Sequence, residues 1–257
     1  MTDIFHSAYT RARAYQANIP KQRAFPSQDA LDNLTQFDEP LPDTPQSAEE
    51  TLQLLDEFGS PATVACTGGR YYGFVTGGAL PVTVASNWLA TTWDQNGALA
   101  ATSPIVAKLE SVALGWLYDV LGLPQNSGGA FVTGATMANF TALAAARHTL
   151  LAKRGWDVNA NGLFGAPEIK VVVGDEVHFS LLKALTLLGL GHERVIRVPV
   201  DNQGRMIAGQ LPELDDMTIV CIQAGNINSG AFDPAQPICE AAKSADAWVH
   251  VDGAFGI

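Results

Sequence analysis

Cysteine is scarce. The three present, Cys66, Cys221 and Cys239, are scattered and form no Cys-x-x-Cys pair, which excludes a disulfide framework and removes sequence support for a zinc or redox site. They read as small core residues. Basic residues are few, 15 Lys and Arg against 26 Asp and Glu, and the net charge of -11 opposes a phosphate backbone or an anionic lipid surface as the main partner. No stretch reaches about 18 consecutive apolar residues, and the start, Met1 to His6, lacks the basic and apolar segments of a secretory signal. Neither a Walker A loop nor a Gly-x-Gly-x-x-Gly turn after a strand occurs, so ATP and NAD lose their usual sequence support. There is no internal repeat. A cytoplasmic chain that handles a small molecule, without nucleic acid or membrane, is the expectation that remains.

At 257 residues, 47% hydrophobic, the chain can bury a core without disulfides or a structural metal, as one large domain or two small ones. Residues 1–47 carry Pro20, Pro26, Pro40, Pro42 and Pro45, which break helices repeatedly; with the helical pattern of Leu52, Leu55 and Phe58, residues 1–60 read as an arm and helix. A Gly-rich passage around Tyr71, Tyr72 and Phe74 follows, suited to closing over a ligand or packing between subunits. A helix is predicted over 104–121, with Ser103 as cap, Pro104 in its first turn and an apolar stripe of Ile105, Leu109, Val112, Trp116 and Val120. A second, alanine-rich helix is predicted from Gly134 to about Arg154. From residue 169 the rhythm changes. Short continuous apolar runs at 169–173, 195–198, 219–222 and 248–251 suit strands buried on both faces, hence a mainly parallel sheet flanked by helices in an α/β domain over 61–257.

In an open α/β sheet, ligands bind beyond the carboxyl ends of the strands. His178, Asn226 and Asp252 fall there, each shortly after an apolar run. A fourth element is Thr133-Gly134-Ala135-Thr136, where the alanine-rich helix begins. Free amides at a helix start, with the positive end of its dipole, form an anion site that suits a phosphate. Each has a plain structural reading: a helix cap for the Thr-Gly turn, a satisfied imidazole for His178, turn chemistry with Gly225 for Asn226. Asp252 is different, because a carboxylate closing a buried strand is costly unless a cation or donor meets it.

Taken in order, these segments resemble the group II pyridoxal-phosphate-dependent amino acid decarboxylases, the family of the aromatic amino acid and glutamate decarboxylases. Tyr71-Tyr72-Gly73-Phe74-Val75 is similar to the family's substrate-side loop, and Phe131 to Asn139 to its phosphate-binding turn. Val177-His178-Phe179-Ser180 resembles the segment of the histidine over the cofactor ring, and His250-Val251-Asp252-Gly253-Ala254 the His-Val-Asp-Ala-Ala segment. The resemblance implies the large domain of the aspartate-aminotransferase-like fold (fold type I), pyridoxal 5'-phosphate as cofactor, an L-amino acid as substrate and a homodimer. Asp252 would pair with the pyridine nitrogen. His178 and Ala254 would sit against the two ring faces, and Gly134, Ala135 and Thr136 would hold the phosphate. Asn226 stands where the family usually has a threonine near the cofactor, and Tyr72, Phe74 and Val75 would line the substrate side, hinting at an aromatic or apolar amino acid.

Departures accompany the match. Ala135 stands where many members have glycine, Met137 where they often have glutamate, and Gly253 where alanine is usual. The family's lysine that joins the cofactor covalently lies beyond the Asp segment. All six lysines here, Lys21, Lys108, Lys153, Lys170, Lys183 and Lys243, precede Asp252. The expectation is therefore a truncated or split chain without its C-terminal small domain, inactive alone, whose parent decarboxylates an amino acid to an amine and carbon dioxide. A related aldolase, desulfurase or aminotransferase, or a non-catalytic subunit keeping the pocket, is the alternative.

Overall fold

The computed structural model describes residues 3–74 and 76–256. They fall into two compact units, Met1–Asn96 and Gly97–Ile257. The first is helical: α1 (Ile4–Asn18), α2 (Gln28–Asp32), α3 (Ala48–Leu54) and α4 (Pro81–Trp93). α1 fits ahead of the first helix-breaking proline, Pro20, and Asp3 caps it by accepting from the Phe5 amide. Ser47 and Glu50 close a capping box on α3. Arg11 of α1 bridges Glu49 and Asp56 at 3.1 and 3.0 Å, and Arg70 donates to the carbonyls of Pro20 and Gln22. The segment expected as an arm thus sits in a folded unit that continues beyond residue 60 to Asn96.

The second unit contains α5 (Pro104–Val120), α6 (Ala135–Lys153), α7 (Val158–Asn161), β1 (Lys170–Gly174), α8 (Phe179–Leu187), β2 (Ile196–Val198), β3 (Thr218–Gln223), α9 (Ala235–Ser244) and β4 (Trp248–Asp252). The four strands are parallel, in the order β2-β1-β3-β4. Their residues alternate between two cores. Val171, Val173, Ile219 and Cys221 pack with Leu143, Leu150, Leu181 and Leu185 of α6 and α8, while Val172, Val220 and Ile222 pack with Ile238 of α9. Helices on both faces explain why the strand sequences are apolar throughout.

Two expectations need correction. Only Cys221 of the three cysteines is buried; Cys66 is half-buried and Cys239 exposed. Cys239 lies on α9, whose buried residues are Ile238 and Ala242, so its side chain falls off the core-facing stripe. Ser103 does precede α5 but makes no capping hydrogen bond, and much of the expected stripe is exposed, Trp116 at 70% and Val120 at 79%. An apolar stripe states a preference for burial; it does not supply the surface that satisfies it.

Leu150→Ala should lower the unfolding free energy by about 2–5 kcal/mol, because a fully buried leucine leaves a cavity. Cys239→Ser should change it by less than about 0.5 kcal/mol. Urea unfolding of both variants checks the placement of these residues.

Candidate functional site

β2 lies on one side of β1 and β3 on the other, so chain direction across the sheet switches at β1. Such a switch opens a crevice at the carboxyl ends of the strands. A cleft is found there, lined by Ala135, His178, Gln223, Gly225, Ile227, Asp252, Ala254 and Phe255. The helix start, the imidazole and the carboxylate picked out in the sequence therefore share one space. These residues enclose only about 70 Å³, well below the roughly 300–1,000 Å³ of a complete ligand pocket. They form a floor on which a ligand would lie. Larger clefts, about 510 and 480 Å³, occur in the first unit beside Arg11 and Tyr15. There Arg11 is already paired with Glu49 and Asp56, whereas the small cleft brings the α6 start, His178 and Asp252 together.

α6 begins at Gly134, whose φ of 143° and ψ of 175° belong to a region essentially reserved for glycine. No side chain caps this end, and the amides of Ala135, Thr136 and Met137 precede the first intrahelical bond, from the Ala138 amide to the Gly134 carbonyl. A Cβ on Gly134 would meet nothing within 4 Å, so space lies open beside these donors. This donor set fits a phosphate.

Asp252 ends β4 and is buried. Its Oδ2 accepts from Asn139 Nδ2 at 3.0 Å and its Oδ1 from the Ala254 amide at 3.2 Å, leaving lone pairs on both oxygens for a further donor. A carboxylate so placed suits a protonated ring nitrogen. His178 caps α8, its Nδ1 accepting from the Ser180 amide at 3.2 Å and lying 2.8 Å from Ser180 Oγ. Its backbone amide donates to Gln223 Oε1 at 3.0 Å, tying the β1 loop to the end of β3.

Asn226 is not turned into the cleft. Its amide donates to Glu176 Oε2 at 3.0 Å and its Oδ1 accepts from the Asn228 and Ser229 amides, which is turn chemistry. Tyr72 and Phe74 belong to the first unit and are exposed, and Val75 lies outside the described residues. No group of His, Cys, Asp and Glu able to hold a metal occurs among the described residues. None of their helices is long and apolar enough to cross a membrane.

Four site residues escaped the sequence reading: Asn139, Ser180, Gln223 and His250. Asn139 is buried and joins three groups, donating to Asp252 and, at 3.3 Å, to Ser180 Oγ, while its Oδ1 lies 2.7 Å from His250 Nε2. Signals existed. Asn139 heads the helical series Leu143, Ala146, Leu150 that faces the core, and a polar residue in such a stripe requires a partner. His250 precedes Asp252 by two and so shares its face of β4.

A family profile described as "Pyridoxal-dependent decarboxylase conserved domain" matches residues 33–256. The chain belongs to this decarboxylase family. Among curated relatives, it is 27% identical over 226 residues to the aromatic-L-amino-acid decarboxylase of Bacillus atrophaeus, covering 85% of this chain and 45% of that protein. It is 28% identical over 189 residues to the L-2,4-diaminobutyrate decarboxylase of Acinetobacter baumannii, covering 67% and 36%. The chain thus spans less than half the length of these relatives. The crystal structure of Oryza sativa TDC with PLP and tryptamine matches with a TM-score of 0.82 at 21% identity, over 96% of this chain and 53% of that one. The fold is therefore that of the fold type I large domain expected from the sequence, and the family's cofactor is pyridoxal phosphate.

Burial pushes the His250 imidazole below its ordinary value near 6.5, against a lesser upward pull from the Asp252 charge. The unfolded chain takes up this proton as pH falls through 6.5, while the folded chain does so only at lower pH. The stability involved is complete above 6.5 and is lost progressively below it. Urea midpoints measured from about pH 7.5 down to about 5.5 should therefore fall less steeply in His250→Gln than in the unaltered chain. Burial, helped by the Asp252 charge, pushes the Cys221 thiol up, so this cysteine is no nucleophile.

Proposed function

We propose that this chain carries the cofactor-binding face of a pyridoxal-phosphate-dependent decarboxylase that converts an L-amino acid to its amine and carbon dioxide. The observation that carries the reading is the convergence of the α6 start, His178 and Asp252 on one cleft at the switch point of the sheet. Family membership supports the reaction type.

Bound there, pyridoxal phosphate supplies an electron sink for the charge left when a carboxylate departs as carbon dioxide. The chain's own residues would hold and tune it. Asp252 would accept the proton-bearing ring nitrogen, and its negative charge favours the protonated ring. The Ala135 and Thr136 amides, the Thr136 hydroxyl and the positive end of α6 would neutralise phosphate charge, with Gly134 leaving the approach clear. His178 would lie against one ring face and Ala254 against the other. Asn226 has no place in this set, since its side chain is committed to Glu176 and its own turn.

The finer points of the reading rest on the family resemblance. Tyr72 and Phe74 would line the substrate side, an apolar or aromatic amino acid would be the substrate, and the protein would be a cytoplasmic homodimer. The exposed apolar side chains of α4 and α5, Trp88, Trp93, Leu109 and Trp116 among them, suit burial in an assembly.

Titration with pyridoxal phosphate, followed by its absorbance, tests the reading. Binding is expected, weakened about 10- to 100-fold in Asp252→Ala through loss of a charge-assisted hydrogen bond. Carbon dioxide release from L-amino acids, measured with the longest natural form of the protein, completes the test. No binding by the unaltered chain, or equal binding by Asp252→Ala, would sink the proposal. Separately, Gly134→Ala should cost about 1–3 kcal/mol of stability because of its backbone conformation, read from thermal unfolding.

A further inference from the structure

We infer that Asn139 and Ser180 are positioning residues that fix the tautomer of His178, holding Nδ1 as an acceptor and leaving Nε2–H directed to the cleft. Asp252, as a carboxylate, only accepts hydrogen bonds. The end of Asn139 lying 3.0 Å from Asp252 Oδ2 must therefore be its NH2 group. The second hydrogen of that NH2 reaches Ser180 Oγ at 3.3 Å. The Asn139 carbonyl is thereby turned to His250, 2.7 Å away, which must donate from Nε2–H.

Ser180 Oγ, having accepted from Asn139, directs its own hydrogen to His178 Nδ1 at 2.8 Å. The Ser180 amide donates to the same nitrogen at 3.2 Å. Two donors converging on Nδ1 leave no room for a proton there, so the neutral ring carries its hydrogen on Nε2. That atom has no partner among the described residues, and the ring lines the cleft. One carboxylate thus sets the hydrogen positions of two histidines through a single amide. The network leaves one N–H donor free for a ligand oxygen. Its use in decarboxylation rests on the proposed function; the tautomer itself does not.

Ring nitrogen shifts from long-range proton–nitrogen correlation spectra of the labelled chain, recorded without cofactor, test the inference. Expected are an unprotonated Nδ1 and protonated Nε2 for both His178 and His250. Ser180→Ala removes one of the two donors to His178, and Asn139→Asp removes the NH2 that orients Ser180. Each should raise the Nδ1–H share of His178 about fivefold, the effect of one hydrogen bond. Nδ1–H on His178 in the unaltered chain, or an unchanged tautomer ratio in Ser180→Ala, overturns the inference. Where Asn139→Asp fails to fold, His250 decides the role of Asn139: Nδ1–H on His250 overturns the deduced amide orientation, and Nε2–H upholds it. A chain with the expected tautomers that takes up no pyridoxal phosphate counts against the proposed function alone.

Discussion

A carboxylate buried at the end of a parallel strand would lose more in hydration than burial returns unless donors meet it. In this protein one donor is the backbone amide of Ala254 and the other is the Asn139 side-chain amide, brought across from α6 to Asp252 over a sequence separation of 113 residues. Meeting that carboxylate fixes the rotation of Asn139, and the rotation fixes what His250 and Ser180 can do. The site is therefore one connected network whose parts cannot be reoriented independently, and its sign is set by the single charge at Asp252.

The scaffold makes this network possible. Val171, Val173, Ile219 and Cys221 face Leu143, Leu150, Leu181 and Leu185, locking α6 and α8 against the sheet with little freedom to slide. On the other face Ile238 of α9 packs on Val172, Val220 and Ile222. A second buried carboxylate, Asp233, accepts from the Met206 and Gln223 amides at 2.7 Å and ties the segment after β2 to the end of β3. Gln223 in turn holds the His178 backbone. The imidazole at the cleft is thus placed by hydrophobic packing beneath it and by a chain of buried hydrogen bonds beside it.

Much of this was legible beforehand. Four continuous apolar runs gave the strands to within about a residue at each end, because burial on both faces leaves no alternation to misread. The approximate starts of α5 and α6 followed from proline and glycine chemistry. What misled was local pattern without context. The prolines of residues 1–47 hid the α1 helix that fits ahead of Pro20. The apolar stripe of α5 implied a core contact that the described residues do not make. Asn226, polar and close behind a strand, was drawn into its own turn by Glu176 and two amides, a competition between local and distant partners that spacing does not resolve.

The linear sequence settled the residue types of the site and their order along the chain, because a glycine-led helix start and a strand ending in aspartate are local features. Which of those residues meet was decided by the strand order β2-β1-β3-β4 and by the docking of α6 on the sheet. Asn139 illustrates the difference. In the chain it is one polar residue in an alanine-rich helix; in the fold, the packing of Leu143, Ala146 and Leu150 turns the head of that stripe onto Asp252, and an amide with one donating and one accepting end then fixes the hydrogens around it.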